Sequence, residues 1–404
     1  MLRTIIYILF SLSSLYGAYY LVTASGILKR KKKKVIKEDK YNNFAIIIAA
    51  RNEENVIANL VKSLKKQKYP KEYYNIYVIA NNCTDNTSEV AKKAGATVIE
   101  CTDKVKSKGD VLKFTFNHFK DNKDIDAYVI FDADNLVHPE FLSKMNETIN
   151  EGYTVAQGFR ETKNVEDNWL SCSYAMLYYL QNYFLNKSRY NLGKSSFLNG
   201  TGFMVKKSVI DKHGFNPKTV TEDIEFTAMC AINGEKIAFV EEAITYDEQV
   251  NNLKVSLKQR KRWSYGTIQC LRAYFNELLK TGFKLHSFEC FDIILFYSSI
   301  ILHVVFSFVP LLILVYDIVN FKSINEYFII YNIVSIIIGY LFGVIFRMLL
   351  IKKCNRSIID NIGGILLFDL FILTWLPVNV ICLFIKDCKW DPIKHNRNVD
   401  IENA

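Results

Sequence analysis

The chain has 404 residues, half of them hydrophobic and 14% aromatic, and its 51 basic and 41 acidic side chains leave a net charge of +10. The apolar residues gather in runs of membrane length near both ends, leaving one soluble domain of roughly 240 residues. That distribution excludes a disordered chain, a small disulfide scaffold and an ordinary soluble enzyme.

Leu2 to Leu28 is apolar apart from Arg3 and small hydroxyls. As a helix it reaches about 40 Å, enough to cross a bilayer. A cleaved leader carries basic residues before a shorter apolar core, whereas here six of them, Lys29 to Lys34, follow it. This predicts a retained anchor over residues 1–28, with the basic run and the domain after it in the cytoplasm. The run reads as a topology signal, and no nucleic-acid partner is expected.

From Tyr41 to about Glu248, short apolar runs alternate with amphipathic stretches. Strands are predicted at Phe44–Ala49, Asn75–Ala80, Thr97–Ile99 and Ala127–Phe131. Helices are predicted at Asn55–Lys68, Thr87–Ala94 and Val111–Phe119. The alternation predicts an α/β fold, a parallel-dominated sheet with helices on both faces, whose ligands bind at the carboxyl ends of the strands. Those ends read Ala50-Arg51-Asn52-Glu53-Glu54, then Asn81 to Thr87, then Asp132-Ala133-Asp134-Asn135. None is a glycine-rich phosphate loop. Asp132 and Asp134 offer two hard oxygen ligands, which suit Mg2+ or Mn2+ bridging a diphosphate.

Three further clusters follow. Phe197 to Phe203 is a glycine-bearing loop that lets backbone approach a ligand. Thr221-Glu222-Asp223-Ile224-Glu225 opens a helix that runs to Asn233-Gly234. In Gln259-Arg260-Lys261-Arg262-Trp263, residues Gln259, Arg262 and Trp263 share one helix face. This basic stretch also suits a helix lying on anionic lipid. Apolar stretches at about 290–319, 326–351 and 361–385 are expected in the membrane. Lys352, Lys353 and Arg356 fit an inside loop, and the short loop Asn320–Asn325, with Lys322, fits outside. The last stretch holds Asp369 and Pro377 and reads as a kinked span or a re-entrant segment. The nine cysteines show no C-x-x-C pair or zinc spacing, which predicts buried free thiols in a reducing compartment.

Taken together, the clusters resemble the family 2 inverting glycosyltransferases over about residues 44 to 263. The likeness is strongest to membrane-embedded synthases of β-linked polysaccharides: cellulose, hyaluronan, Nod chitin and poly-N-acetylglucosamine. The resemblance implies a GT-A nucleotide-sugar domain at 41–250, interfacial helices with the Gln-x-x-Arg-Trp motif at 251–285, membrane segments at 286–385 and a tail at 386–404. It places Arg51, Glu53, Asn81, Asp85, Lys108 and Asp132 on the nucleotide sugar, Asp132 and Asp134 on the metal, and Asp223 as catalytic base. Asn81 stands where many relatives carry an aspartate, and Gln157 to Arg160 is a lengthened form of a Q-x-R segment. Gly202, Phe203, Glu222, Gln259, Arg262 and Trp263 fall to acceptor and diphosphate, with Trp263 stacking on a sugar. The implied activity is transfer from a UDP-sugar to a growing β-linked polysaccharide, by a multi-pass protein of the cell membrane whose catalytic domain is cytoplasmic. The alternative is addition of one or a few sugars to a lipid or short carrier. The implied partners are the UDP-sugar, a glycan or lipid-linked acceptor, the bilayer, and an accessory membrane or export protein.

Overall fold

The computed structural model of the chain describes residues 2–31, 40–103, 105–321, 326–388 and 401. Lys32 to Lys34, the loop around Lys322 and the tail at 389–400 and 402–404 lie outside the described residues.

The most apolar segment of the soluble part, β1 (Phe44–Ala50), is buried at six of its seven positions and lies inside the sheet. Such a run needs cover on both faces, which parallel neighbours with crossover helices supply. β2 (Tyr74–Asn81), β3 (Thr97–Cys101) and β4 (Ala127–Asp132) join it in parallel, as the alternation predicts. Beyond β4 the sheet turns mixed. It continues through β5 (Leu136–Val137), β6 (Val155–Thr162), β7 (Phe203–Lys206) and β8 (Ile237–Asp247), in the overall order β3-β2-β1-β4-β7-β6-β8-β5. β7 runs antiparallel to β4 and β6, β8 runs parallel to β6, and β5 caps β8 antiparallel. Helices cover both faces, Ile57–Lys65 and Phe141–Asn150 on one, Lys108–His118 and Glu222–Ile232 on the other.

The helix expected at Val111–Phe119 starts three residues earlier, at Lys108. Ser107 and Asp110 form a reciprocal capping box there, each side chain bonding the other's backbone. The cap therefore fixes Lys108 at the first helical position, directly over the strand ends.

Among the described residues, four helices are long and apolar enough to cross a membrane: Thr4–Leu28, Phe288–Tyr316, Ile330–Lys353 and Ile362–Phe384. All four also touch the soluble domain. On Phe288–Ser307, Cys290, Ile293 and Tyr297 form one buried stripe, and Tyr297 donates a hydrogen bond to the carbonyl of Ile224. Asp292 on the same helix takes both guanidinium arms of buried Arg189, at 2.7 and 2.9 Å. The last stretch is two helices, Ile362–Leu373 and Trp375–Phe384, meeting at Thr374. Its first end meets the soluble helix Trp169–Leu180, where Cys172 bonds the Asn361 carbonyl. Past its other end, Tyr265 donates to the Lys386 carbonyl at 2.6 Å. One end thus rests on the soluble domain and the other on the helix Leu253–Leu285. The region expected to hold several interfacial helices is a single helix, Leu253–Leu285.

All nine cysteines are free thiols, six of them buried, while Cys83, Cys354 and Cys388 are partly exposed and correct the expectation of uniform burial.

Candidate active site

The strand ends open into a cavity of about 1550 Å³. Arg51, Glu53, Asn81, Lys108, Asp132, Asp134, Glu222, Asp223, Gln259, Arg262 and Trp263 all line it. Motifs up to 212 residues apart in sequence, counting from Arg51 to Trp263, therefore meet at one surface.

Two loops form the first wall. Asn52 and Asn82, just past β1 and β2, both take the left-handed conformation, with φ of 59° and 48°. Asparagine tolerates that region well, and both chains turn sharply. Asn52 Oδ1 accepts the backbone N–H of Thr84 at 2.8 Å, which ties the loops together. Asp85 belongs to this stitching. Its carboxylate accepts the Glu54 N–H at 3.2 Å and the Thr87 N–H at 3.0 Å, and it does not line the cavity. Partial burial raises its pKa, but the bonds from Thr87 and Glu54 outweigh it and hold the carboxyl below the usual range. Asp85 shapes this loop from behind rather than bordering the cavity, where it was expected to meet a ligand.

Lys108 is the hub of the second wall. Its amine pairs with Asp132, donates to the Gly200 carbonyl at 2.6 Å and lies 3.9 Å from Glu222. Burial opposes its charge, but Asp132, Glu222 and Asp223 outweigh that and raise its pKa. The acids feel the converse. Burial pushes Glu222 up to about 7, with Lys108 opposing and the charge of Asp223 adding. Burial likewise raises Asp223, against its own backbone hydrogen bonds, Lys108 and Arg262. A carboxylate raised in this way is suited to accept a proton near neutral pH.

Asp134 is 7% exposed, and its carboxylate accepts the backbone N–H of Glu248 at 3.3 Å. The Asp132 side chain is 39% exposed. No third acid, imidazole or thiol gathers with these two among the described residues.

The third wall is the helix Leu253–Leu285, docked on the Thr221–Asp223 turn by the face that continues from Arg262. Gly266 lies where a β-carbon would come within 2.3 Å of Thr221 Oγ1, so only glycine allows this approach. One turn on, Gln269 accepts the Val220 N–H at 3.2 Å, and Tyr274 donates to buried Glu225. Glu225 in turn accepts the N–H groups of Lys218 and Thr219. It holds the turn rather than facing the ligand.

Gly202 and Phe203 do not line the cavity. Phe203 pairs with Ile130 and Gln157 inside the sheet, and Gly202 gives room to Thr245, whose Oγ1 would lie 2.5 Å from a β-carbon. The cavity wall is three residues earlier, at Asn199 and Gly200. The Asn199 side-chain amide is buried at both polar atoms and finds no partner among the described residues, and Gln259 Oε1 is likewise unpaired. Such groups cost stability unless a ligand satisfies them.

Sequence reasoning missed Asp247 at the end of β8. It takes Arg160 Nε at 2.8 Å, and both line the cavity. Arg160 also donates to the Asn199 carbonyl at 2.8 Å and stacks 4.0 Å over the Tyr178 ring. An aspartate closing an apolar run was the available signal. Arg260 is fully buried, donates to the Phe371 carbonyl at 2.9 Å and to Thr374, and ties the motif helix to the last apolar stretch. Beyond Trp263 the cavity continues among three of the four candidate membrane helices, touching Tyr16, Ser299, His303 and Trp375.

Residues 42–266, more than half of the chain, match the sequence profile described as Glycosyltransferase like family 2. The chain is 24% identical over 271 residues to the probable glycosyltransferase YdaM of Bacillus subtilis, covering 61% of this chain and 60% of that protein. It is 25% identical over 260 residues to a beta-monoglucosyldiacylglycerol synthase of Nostoc sp., covering 62% of this chain and 54% of that one. The aligned chain thus spans 54% to 60% of the length of these curated relatives. Among solved structures, a mannosyltransferase from Pyrobaculum calidifontis, in complex with GDP-Man and Mn2+, is similar with a TM-score of 0.62 at 14% identity, over 96% of this chain and 100% of that one. At that identity the likeness concerns the fold, a GT-A sheet flanked by helices and joined to apolar helices. The chain belongs to glycosyltransferase family 2.

Proposed function

We propose that this protein transfers a sugar, with inversion, from a UDP-sugar to an acceptor that reaches Asp223 from among the membrane helices. The observation that carries this reading is the continuous cavity, which joins the strand-end loops, the acid cluster and three candidate membrane helices.

The chemistry follows from the wall. Arg51, Glu53 and Asn81 border the end where β1 and β2 terminate and are assigned to the nucleoside. Asp132 and Asp134 present only hard oxygens and would hold a Mg2+ or Mn2+. Such an ion would supply Lewis-acid neutralisation of the leaving diphosphate. Arg262 and Lys108 bring fixed positive charge to the same group. The acceptor hydroxyl loses its proton to the Asp223 carboxylate as its oxygen bonds the anomeric carbon. The bond from that carbon to the diphosphate breaks with its electron pair on the diphosphate. Attack opposite the leaving group turns an α-linked donor into a β-linked product. Trp263 stands at the border between the two halves, where its ring suits the acceptor.

In this reading residues 1–28 anchor the chain, 41–250 form the cytoplasmic catalytic domain, 251–285 lie at the interface, and 286–385 hold the remaining membrane segments before the 386–404 tail. The motif set implies a growing β-linked polysaccharide as acceptor. A lipid acceptor has specific support, because Tyr16, Phe296, Ile300, Phe306 and Ile372 make the far wall largely apolar. One relative is also named for the glycolipid beta-monoglucosyldiacylglycerol.

The test is purified full-length protein in detergent with a total lipid extract and a panel of labelled UDP- and GDP-sugars. One UDP-sugar is expected to pass label into the lipid phase, to stop in excess chelator and to recover with Mg2+ or Mn2+. Label in alcohol-insoluble polymer would favour the polysaccharide reading. Absence of nucleotide release from every donor would defeat the transferase reading.

A further inference from the structure

Where the cavity passes among the membrane helices, four side chains form a chain of hydrogen bonds. The Trp375 indole N–H can only donate, and it donates to Ser264 Oγ at 2.9 Å. The Ser264 hydroxyl then donates to Asn379 Oδ1 at 2.7 Å. That sets the amide, so Asn379 Nδ2 donates to His303 Nδ1 at 3.2 Å. A neutral imidazole whose Nδ1 accepts carries its proton on Nε2. Ser264 and Asn379 are 2% and 3% exposed, so water does not compete for these links. All four side chains line the cavity, and they come from three helices, Leu253–Leu285, Phe288–Ser307 and Trp375–Phe384.

We infer that His303 is an acceptor-positioning residue whose Nε2–H binds an oxygen that can only accept, an ester carbonyl or a phosphate oxygen, on a lipid acceptor. This rests on the transferase reading above. A sugar hydroxyl can meet either tautomer, because it both donates and accepts, and it needs no fixed one. An ester or phosphate oxygen needs a donor, and the relay from Trp375 keeps His303 in that state. Around it Phe296, Ile300, Phe306 and Ile372 match hydrocarbon, whereas they would leave the many hydroxyls of a free glycan unpaired. Ser299 and Ser307, one turn to either side of His303, also border the space and can hold the neighbouring hydroxyl.

The experiment uses the full-length protein in micelles with the donor found above, and two lipid probes, dioleoylglycerol and undecaprenyl phosphate, beside a soluble β-linked tetrasaccharide. His303→Phe should raise the KM for the lipid about tenfold or more, the loss of one buried hydrogen bond, with the donor KM unchanged. His303→Gln, which keeps an N–H donor, should restore most of it. Asn379→Leu should move the lipid KM in the same direction as His303→Phe, because it removes the amide donor that holds Nδ1 as an acceptor. The probe that shows this pattern identifies the oxygen as ester or phosphate. Transfer to lipid that is indifferent to His303→Phe would overturn the inference and leave the transferase reading intact, as would transfer to the tetrasaccharide alone. A donor KM that rises with the acceptor KM, unrescued by His303→Gln, would make His303 a packing residue and overturn it too. Donor binding without transfer to any probe would defeat the transferase reading and this inference together.

Discussion

The two halves of the cavity hold their polar atoms by different means. At the strand ends, charge answers charge: Lys108 sits among Asp132, Glu222 and Asp223, and Arg160 is clamped on Asp247. Those groups stand on strand termini and first helical turns, which backbone hydrogen bonds make rigid. Among the membrane helices the wall is mostly apolar, and four of its polar side chains are joined in one neutral chain from Trp375 to His303. The first half suits a dianionic leaving group and a metal. The second suits an uncharged or amphiphilic molecule with one hydroxyl to offer. Asp223 and Trp263 lie at the border, where the two substrates have to meet.

The largest effect should come from the border itself. Asp223→Asn removes the proton acceptor while keeping size and hydrogen bonds, so turnover should fall by roughly 10²–10⁴. Affinity for UDP, measured by calorimetry, should hold, because the residues proposed for the nucleoside and diphosphate lie in the other half. Loss of UDP affinity with turnover intact would place Asp223 on the donor side and erase the division.

The next effect tests the joint between the halves. Gly266→Ala puts a β-carbon 2.3 Å from Thr221 Oγ1. Overpacking of this kind costs about 1–3 kcal/mol, and here it displaces the turn that carries Glu222 and Asp223. Transfer should drop by roughly 10- to 100-fold, the kinetic equivalent of that displacement. Adding Thr221→Gly, which clears the contact, should return part of the activity. A double variant no better than the single one would show that the helix contact does not set the turn.

The strand-end half was largely legible in the sequence, and the reason is local. A strand pattern, a few polar residues and a helix pattern follow one another without a break, so Arg51, Asp132 and Asp134 could be placed at the strand ends from their neighbours, whereas Lys108 came from the family resemblance alone. Asp85 resembled them in sequence, but its hydrogen bonds go to Thr87 and Glu54 rather than to a ligand, and only coordinates show that. Gly202 and Phe203 were displaced from the wall by three residues because β7 is only four residues long and its start left no periodic trace. Asp247 was missed because β6 and β8 shift register between Gly158 and Phe159, and the alternation along β8 breaks at Glu241 and Glu242. In the membrane half the apolar helices were legible, but not the contacts between them. Arg260, Ser264, His303 and Asn379 converge from three helices, and an apolar pattern records burial but not which helices face one another.

Arg260 offers a smaller, purely structural test of that half. Arg260→Leu removes its bonds to Phe371 and Thr374, yet Thr374 Oγ1 also donates to the Phe371 carbonyl at 2.7 Å, so the carbonyl is not orphaned. The cost should stay at about 0.5–1.5 kcal/mol. It should appear as faster amide exchange confined to Ile362–Phe384, with strand-end amides unchanged. Faster exchange across β1 and β4 as well would mean the two halves unfold as one unit.

The smallest effect concerns pH and separates the acids from the relay. Asp223 must be ionised to take a proton, so transfer should rise with pH as it deprotonates. Burial raises its pKa and Lys108 and Arg262 oppose this, so the acid limb should lie above the range of an exposed carboxylate. Glu222, pushed up to about 7, gains negative charge beside Asp223 as it titrates. A neighbouring anion disfavours a second one, so replacing it with a neutral amide makes Asp223 easier to ionise. Glu222→Gln should therefore move the acid limb of kcat/KM toward lower pH, with a modest loss at the plateau. His303→Gln, in the other half, should leave the position of the limb where it is in the wild type. A limb that moves with His303 and not with Glu222 would put the titrating group among the membrane helices, and the partition of charge to one half and neutral donors to the other would have to be given up.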